Sequence, residues 1–276
     1  MAIKRGQKFS LNNIWSGRKQ RVGQISKSDN GPGAAYFGYE RVPAPDKADR
    51  VLQHFNSVAR YYDFMNTLLS FGIHYLWKRS AVGMLKLARG DRVLDVCGGT
   101  GDLAILAAKA VGSPGQVVLY DINWEMMQVG LSKRSRAPIA NRIQYVQGNA
   151  ESISFEDEYF EAAMVGFGIR NVTDMQAGFR EMYRVLKPGG KMMCLEFSKP
   201  TNTAFCRLYD VYSFYVMPKL GELLVGNRAA YTVLPESIRM FPMPDELALI
   251  LKGIGFSKIT YRRLTNGIAV VHLAVK

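Results

Sequence analysis

One short stretch of this sequence gathers residue types that can hold a nucleotide: Asp95-Val-Cys-Gly-Gly-Thr-Gly-Asp-Leu103, "DVCGGTGDL", directly after an apolar run. Within it, Gly99-Thr-Gly-Asp-Leu-Ala104 satisfies G-x-G-x-x-A, and Asp121 follows 20 residues after Gly101. That spacing fits a dinucleotide turn, in which glycines let the backbone approach the ligand and the later acid takes ribose hydroxyls. A phosphate loop of the type G-x-x-x-x-G-K followed by Ser or Thr is excluded, because neither Gly98 nor Gly99 starts such a match.

The same residues also read as D-x-G-x-G-x-G, with Cys97 in the first glycine's place, a turn suited to S-adenosylmethionine. That ligand carries an ammonium where a dinucleotide carries pyrophosphate. An acid at Asp95 or Asp102 suits the first and repels the second. Asp121, with Ile122 beside it, meets the ribose in either case, since an ionised carboxylate only accepts hydrogen bonds. In "GNAESISF" (148–155), Asn149 and Ala150 are placed to meet an adenine edge, and Glu151 to cap the turn.

These residues need a parallel sheet to position them. From about residue 90, β-rich runs alternate with helical patterns, the signature of βαβ units. The spacing predicts strands at 92–96, 116–121, 142–148, 160–168 and 191–197. Asn123 caps one helix, and a helix over 173–186 is stopped by Lys187-Pro-Gly-Gly190. Two last strands joined by "TNG" imply an antiparallel hairpin at the sheet edge. Residues 47–88 read as an N-terminal helical cap. Residues 203–244 read as an insertion leaving a strand's carboxyl end, where α/β sheets bind ligands, and so as a lid.

The net charge of +13 is uneven: Lys4, Arg5, Lys8, Arg18, Lys19, Arg21 and Lys27 precede the first acid, Asp29. Residues 1–36 therefore read as a basic leader, either a mobile tail or an organelle-targeting segment. The remaining charge suits an anionic membrane surface or an acidic partner and is too diffuse for nucleic acid. No apolar run is long enough to span a bilayer. Three cysteines without a C-x-x-C pair suit a reducing compartment, and three scattered histidines give no zinc site.

Beyond the cofactor motifs, "FGYERVPAPDKADRV", "VARYYDFMN", "LLSFGIHYLWKR", "VCGGTGDLA", "FGIRNVTD", "MYRVLKPGG", "CLEFSKP", "YDVYSFYVMPKLG" and "ESIRMFP" stand in order from about Phe37 to Lys276. The chain thereby resembles the ubiquinone/menaquinone biosynthesis C-methyltransferase family. The resemblance implies an α/β, Rossmann-like class I methyltransferase with a seven-stranded, mostly parallel sheet, a C-terminal antiparallel hairpin, N-terminal helices and a lid insertion. Residues 37–276 would be a single domain. It implies S-adenosylmethionine as cofactor, a polyprenylated quinol as substrate, and no metal. Peripheral membrane contact and assembly as a homodimer or in a quinone-synthesis complex go with it, in the cytoplasm or the mitochondrial matrix.

Carried over by position, the family's cofactor residues fall on Thr100, Asp121, Asn149 and Ala150, with Gly99 and Gly101 in the turn. Gly166 stands where the family usually has serine, so any contact there comes from backbone. Cys97 stands where alanine is usual and reads as filler. The resemblance gives catalysis to Arg170 and Asn171 in "FGIRN". An arginine is always protonated, so its part is to stabilise the developing quinolate while Asn171 orients the same oxygen. Both also fit a structural role, Arg170 in an ion pair and Asn171 anchoring a helix. Other bases at hand are Tyr61, Asp63, His74, Tyr209, Asp210 and Tyr212. Tyr61, His74 and Tyr212 are assigned to substrate, in an apolar channel for the tail. Arg239 either pairs with Glu236 or faces the quinol. The rivals are an NAD-dependent oxidoreductase, resting on G-x-G-x-x-A, and a methyltransferase-fold scaffold subunit of a quinone-synthesis assembly.

Overall fold

The computed structural model describes residues 33–134 and 139–276. Seven strands form the main sheet: β3 (Arg92–Val96), β4 (Gln116–Asp121), β5 (Ile143–Gln147), β6 (Phe160–Gly166), β7 (Leu186–Phe197), β8 (Ser257–Leu264) and β9 (Ala269–Val275). Their order is β5-β4-β3-β6-β7-β9-β8. Strands β3 to β7 are parallel, and β9 runs antiparallel to both β7 and β8. The chain builds outward from β3 to β5 and then crosses back to place β6 on the other side of β3. The crevice between the carboxyl ends of β3 and β6 is therefore the switch point where such sheets bind ligands.

The central strands are apolar on both sides because helices cover both faces. Val93, Leu119, Met164, Met193 and Val271 point to one face. There they meet Trp77, Ala81 and Leu85 of α3 (Ile73–Leu85) and the alanines of α4 (Asp102–Val111). The alternate residues Leu94, Val118, Ala163 and Cys194 point to the other. They pack on Phe179 and Met182 of α6 (Met175–Val185) and on Leu247 and Leu251 of α10 (Pro244–Ile254). Helix α5 (Trp124–Arg134) starts as expected at Asn123, whose Oδ1 accepts the Met126 N–H at 2.9 Å.

The cap is α1 (Ala44–Val58), α2 (Tyr62–Leu69) and α3. The insertion is α7 (Thr203–Val211), continued through a π turn at Tyr212–Val216 into α8 (Met217–Val225), and then α9 (Arg228–Met240).

Two expectations are corrected and one is met. Strand β7 begins at Leu186, not 191: Leu186 is already extended (φ −77°, ψ 139°), because Pro188 disfavours helix at Lys187 and the chain joins Phe160 of β6 at once. The terminal hairpin stands at the sheet edge as expected, with β9 paired to β7 and β8 outermost. A small hairpin, β1 (Ala34–Phe37) with β2 (Glu40–Pro43), starts inside the stretch read as leader. The rest of that leader, through residue 32, lies outside the described residues.

Candidate active site

Two cavities meet over the switch point. The smaller, of about 350 Å³, lies between α1 and the ends of β3, β4 and β6, and is walled by Gly99, Asp121, Ile122, Asn149, Ala150 and Gly166. The larger, of about 480 Å³, is enclosed by the cap and the insertion and is mostly apolar. Phe55, Tyr62, Phe167 and Asn171 line both.

Backbone strain marks the crevice. Cys97, just past β3, has φ +53°, and Phe167, just past β6, has φ +60°. Left-handed backbone is costly for residues with a Cβ and clusters at functional sites. It explains why a glycine suits position 97. Cys97 also lines the smaller cavity, so it is a wall residue rather than buried filler. Burial and the neighbouring Asp121 carboxylate push its thiol well above the ordinary value, which leaves it a poor nucleophile.

Asp121 anchors the smaller cavity. Its Oδ2 accepts the Gly99 N–H at 2.8 Å and its Oδ1 the Asn123 N–H at 2.7 Å. Burial lifts its carboxyl to about 6, against the pull of those N–H groups. Each oxygen keeps a lone pair for a hydroxyl of a ribose. Gly99, at φ +52°, leaves bare backbone against the cavity, and Asn149 turns its Oδ1 to the Glu151 N–H at 2.9 Å. Glu151 itself does not cap that turn but accepts the Thr173 N–H at 3.0 Å. Gly166 lines the cavity with backbone, and a Cβ there would meet Leu103 Cδ1 at 2.5 Å. This cradle fits an adenosyl group.

Three residues of the turn do not line it. Asp95 is 1% exposed beneath the turn, and burial raises its carboxyl to about 8. Gly101 begins α4. The Thr100 hydroxyl donates to Asp63 Oδ1 at 2.7 Å, away from the cavity. Nor is Asp102 free to meet an ammonium: it binds Lys78 and Lys133, each at 2.7 Å. Burial alone would raise Asp102, yet those two lysines hold it at about 2. Lys133 reaches on to Asp63 at 2.8 Å, so this cluster fastens α2, α3 and α5 to the turn.

Arg170 and Asn171 stand at the junction. Arg170 Nη1 donates to the Phe167 carbonyl and to Glu196 Oε2 at 2.9 Å, with both partners of the ion pair buried. Its Nε has no partner, and neither does the buried Asn171 Nδ2. Asn171 anchors no helix, because Asp174 caps α6 by accepting the Ala177 N–H at 3.0 Å. Sequence reasoning missed Glu196, although a carboxylate inside the apolar strand "KMMCLEF" was a visible signal.

In the larger cavity, His74 is 4% exposed and burial lowers its pKa to about 4, so it is neutral. The Thr67 hydroxyl donates to the Asp63 carbonyl at 2.8 Å, so its 3.2 Å contact with His74 takes the Nε2 proton. That tautomer leaves Nδ1, which has no partner, as an acceptor. Tyr212 lines this cavity and donates to the Leu69 carbonyl at 2.9 Å. Two assignments to substrate are not met. Tyr61 is 49% exposed on the outer surface beside Glu125, and Tyr62 takes the inner place. Arg239 is fully buried outside the cavity, paired with Asp210 rather than Glu236. Glu236 instead accepts the Tyr39 N–H at 3.1 Å. Among the described residues no cluster suits a metal ion.

Sheet order, the strained crevice and the Asp121 cradle define a class I S-adenosylmethionine-dependent methyltransferase. Solved structures agree at the level of fold. A methyltransferase of Thermotoga maritima described as a possible histamine N-methyltransferase aligns with TM-score 0.59 and 19% identity, over 82% of this chain and 99% of that one. Phosphoethanolamine N-methyltransferase 2 of Haemonchus contortus aligns with TM-score 0.59 and 18% identity, over 86% of this chain and 61% of that one. Residues 44–276 match the profile of the ubiE/COQ5 methyltransferase family, and the chain belongs to that family. A ubiquinone/menaquinone biosynthesis C-methyltransferase of Edwardsiella ictaluri is 45% identical, over 90% of this chain and 99% of its own length. One from Pseudomonas putida is 45% identical, over 91% and 98%. The oxidoreductase alternative is thereby set aside.

Proposed function

We propose that this enzyme methylates a ring carbon of a polyprenylated quinol. The observation that carries the reading is the junction: a cofactor-sized cavity anchored by the Asp121 carboxylate meets a mostly apolar one, and Asn171 lines both. S-adenosylmethionine, when bound, supplies a methyl group on an already electrophilic sulfonium. Asp121, Gly99, Ile122, Asn149, Ala150 and the Gly166 backbone would hold it. The protein's remaining work is to orient the ring and make its carbon electron-rich.

The ring hydroxyl ortho to the reacting carbon gives its proton to water as the quinolate forms. The unpartnered donors Arg170 Nε and Asn171 Nδ2 stabilise that oxygen. Glu196 fixes Arg170 for this task. The carbon then bonds the methyl group as that group's bond to sulfur breaks, its hydrogen leaves as a proton to water, and the ring oxygen takes a proton back to give the methylated quinol. His74 Nδ1 accepts a hydrogen bond from a second hydroxyl, and Tyr62, Met65, Tyr209, Tyr212 and Tyr231 receive the tail, with the insertion acting as a lid. The tail ties the substrate to a bilayer, so the enzyme works at a membrane surface, on the cytoplasmic side in a bacterial cell.

Purified enzyme with S-adenosylmethionine should convert demethylmenaquinol or 2-methoxy-6-polyprenyl-1,4-benzoquinol to the C-methylated product, read by mass spectrometry. Cells lacking the protein should accumulate the unmethylated quinone. Cofactor binding without turnover on either substrate would leave the chain a scaffold subunit and refute the assignment.

A further inference from the structure

The mouth of the larger cavity is ringed by apolar side chains that the fold leaves in solvent. Phe71 (79% exposed) and Leu208 (63%) line the cavity and face outward from it. The Phe71 ring lies 6.3 Å from that of Tyr212, which joins the cap to the insertion at this point. Tyr75, exposed on the next turn of the cap, touches Thr67 at 3.1 Å. On the insertion, Val211 and Tyr215 follow Leu208 one and two turns on, and both are exposed. An apolar rim of this kind on a soluble fold marks an interaction surface.

Cations flank the rim. Arg207 adjoins Leu208, Arg79 lies one turn past Tyr75, and Lys219 one turn past Tyr215. All three are exposed. None has an ion-pair or hydrogen-bond partner on its side chain among the described residues. No helix among the described residues is long and apolar enough to cross a membrane. Exposed apolar side chains with unpaired cations beside them match an interface that is anionic outside and hydrocarbon beneath.

We propose that this rim, formed by Phe71, Tyr75, Leu208, Val211 and Tyr215 with Arg79, Arg207 and Lys219, docks on the surface of an anionic lipid bilayer. Docking places the cavity mouth against the acyl layer, so that a lipid tail passes from bilayer to cavity without crossing water. The role of that passage rests on the quinol reading; the docking itself does not.

The test is flotation of the full chain with phosphatidylcholine vesicles, with and without about one quarter phosphatidylglycerol. Wild type should bind the anionic vesicles and bind the neutral ones weakly. Arg207→Gln with Lys219→Gln should partition about twenty-five-fold less onto the anionic vesicles, at roughly fivefold per cation. Val211→Glu with Tyr215→Glu should abolish binding to both. Neither residue lines the cavity, so turnover of a short-tailed, water-soluble quinol should stay at the wild-type level and certify the fold. Turnover of a long-tailed quinol in vesicles should fall at least tenfold. Unchanged vesicle binding by the glutamate variant would overturn the proposal. So would a wild-type dimer, seen by sedimentation, that the same variant splits while wild type ignores vesicles. Vesicle binding as expected, with no turnover of any quinol, would refute the substrate assignment and leave the docking face standing.

Discussion

The two halves of the site are built on different principles. The cofactor half is made at strand ends, from backbone and short side chains whose places are set within a few residues of a turn. Asp121 gripping Gly99 is typical: two backbone segments are locked by one carboxylate. The substrate half is made by helices from distant parts of the chain. Tyr62, His74, Tyr212 and Tyr231 meet there only because α2, α3, α9 and the π turn pack together. One half can therefore be disabled at a point, whereas the other responds to changes in packing and charge spread over its wall.

The sharpest break is Asp121→Ala. It removes the proposed acceptor for two ribose hydroxyls and leaves the Gly99 and Asn123 N–H groups without their partner. Hydrogen bonds to a charged group contribute about 1.5–3 kcal/mol each. S-adenosylmethionine affinity, by isothermal titration, should fall on the order of 100-fold or more. Binding of a quinol analogue to the larger cavity should change little, and a parallel loss there would deny that the halves are separable.

That difference also explains what the sequence made legible. Strands β3, β4 and β6, the helix cap at Asn123 and the Asp121 cradle follow from local pattern, and their positions needed only small corrections. The "FGIRN" stretch marks the junction but not the Glu196 carboxylate across it, because an ion pair spanning 26 residues leaves no local trace. Arg239 and Tyr61 failed for a related reason. A helical stretch such as "ARYYDF" states that aromatics alternate around a helix, not which of two adjacent tyrosines faces inward. The Arg239–Asp210 pair joins two helices of the insertion that no short-range spacing relates. Thr100 and Asp102 were read toward the ligand from motif position alone. The partners that draw them away, Asp63 for Thr100 and Lys78 and Lys133 for Asp102, lie 24 or more residues distant in sequence.

The next largest effect is expected at the junction. Glu196→Gln leaves the Arg170 guanidinium buried without a counter-charge, and breaking a buried pair in this way costs about 3–5 kcal/mol. The melting temperature should drop, and kcat should fall roughly 100-fold, the scale of losing one preorganised stabilising donor. The cofactor dissociation constant should hold within a few-fold. Equal loss of cofactor affinity would make Arg170 part of the cofactor half instead. A smaller change is expected from His74→Phe, which keeps an aromatic ring in the wall but removes the Nδ1 acceptor. One neutral hydrogen bond amounts to about 1 kcal/mol, so KM for the quinol should rise about fivefold with kcat nearly unchanged.

Mild acid gives the least invasive separation of the halves. Asp121 titrates near 6 in the folded protein, because burial disfavours its charge. The ionised form, the one that on the proposed reading accepts the ribose hydroxyls, prevails above that value and is lost as pH falls through it. His74 titrates near 4, again because burial disfavours charge, and so stays neutral until well below pH 5. Between these values the two halves should respond differently. At pH 5 the cofactor should bind up to about tenfold more weakly than at pH 7, the limit for one carboxylate titrating near 6. Affinity of the larger cavity for a non-ionising quinol analogue should hold over the same span. Asp121→Asn, which cannot ionise, should bind the cofactor weakly at both pH values and lose the dependence. If that variant kept the wild-type pH profile, the titrating group would lie elsewhere, with the other buried acid beneath the turn, Asp95, first in question.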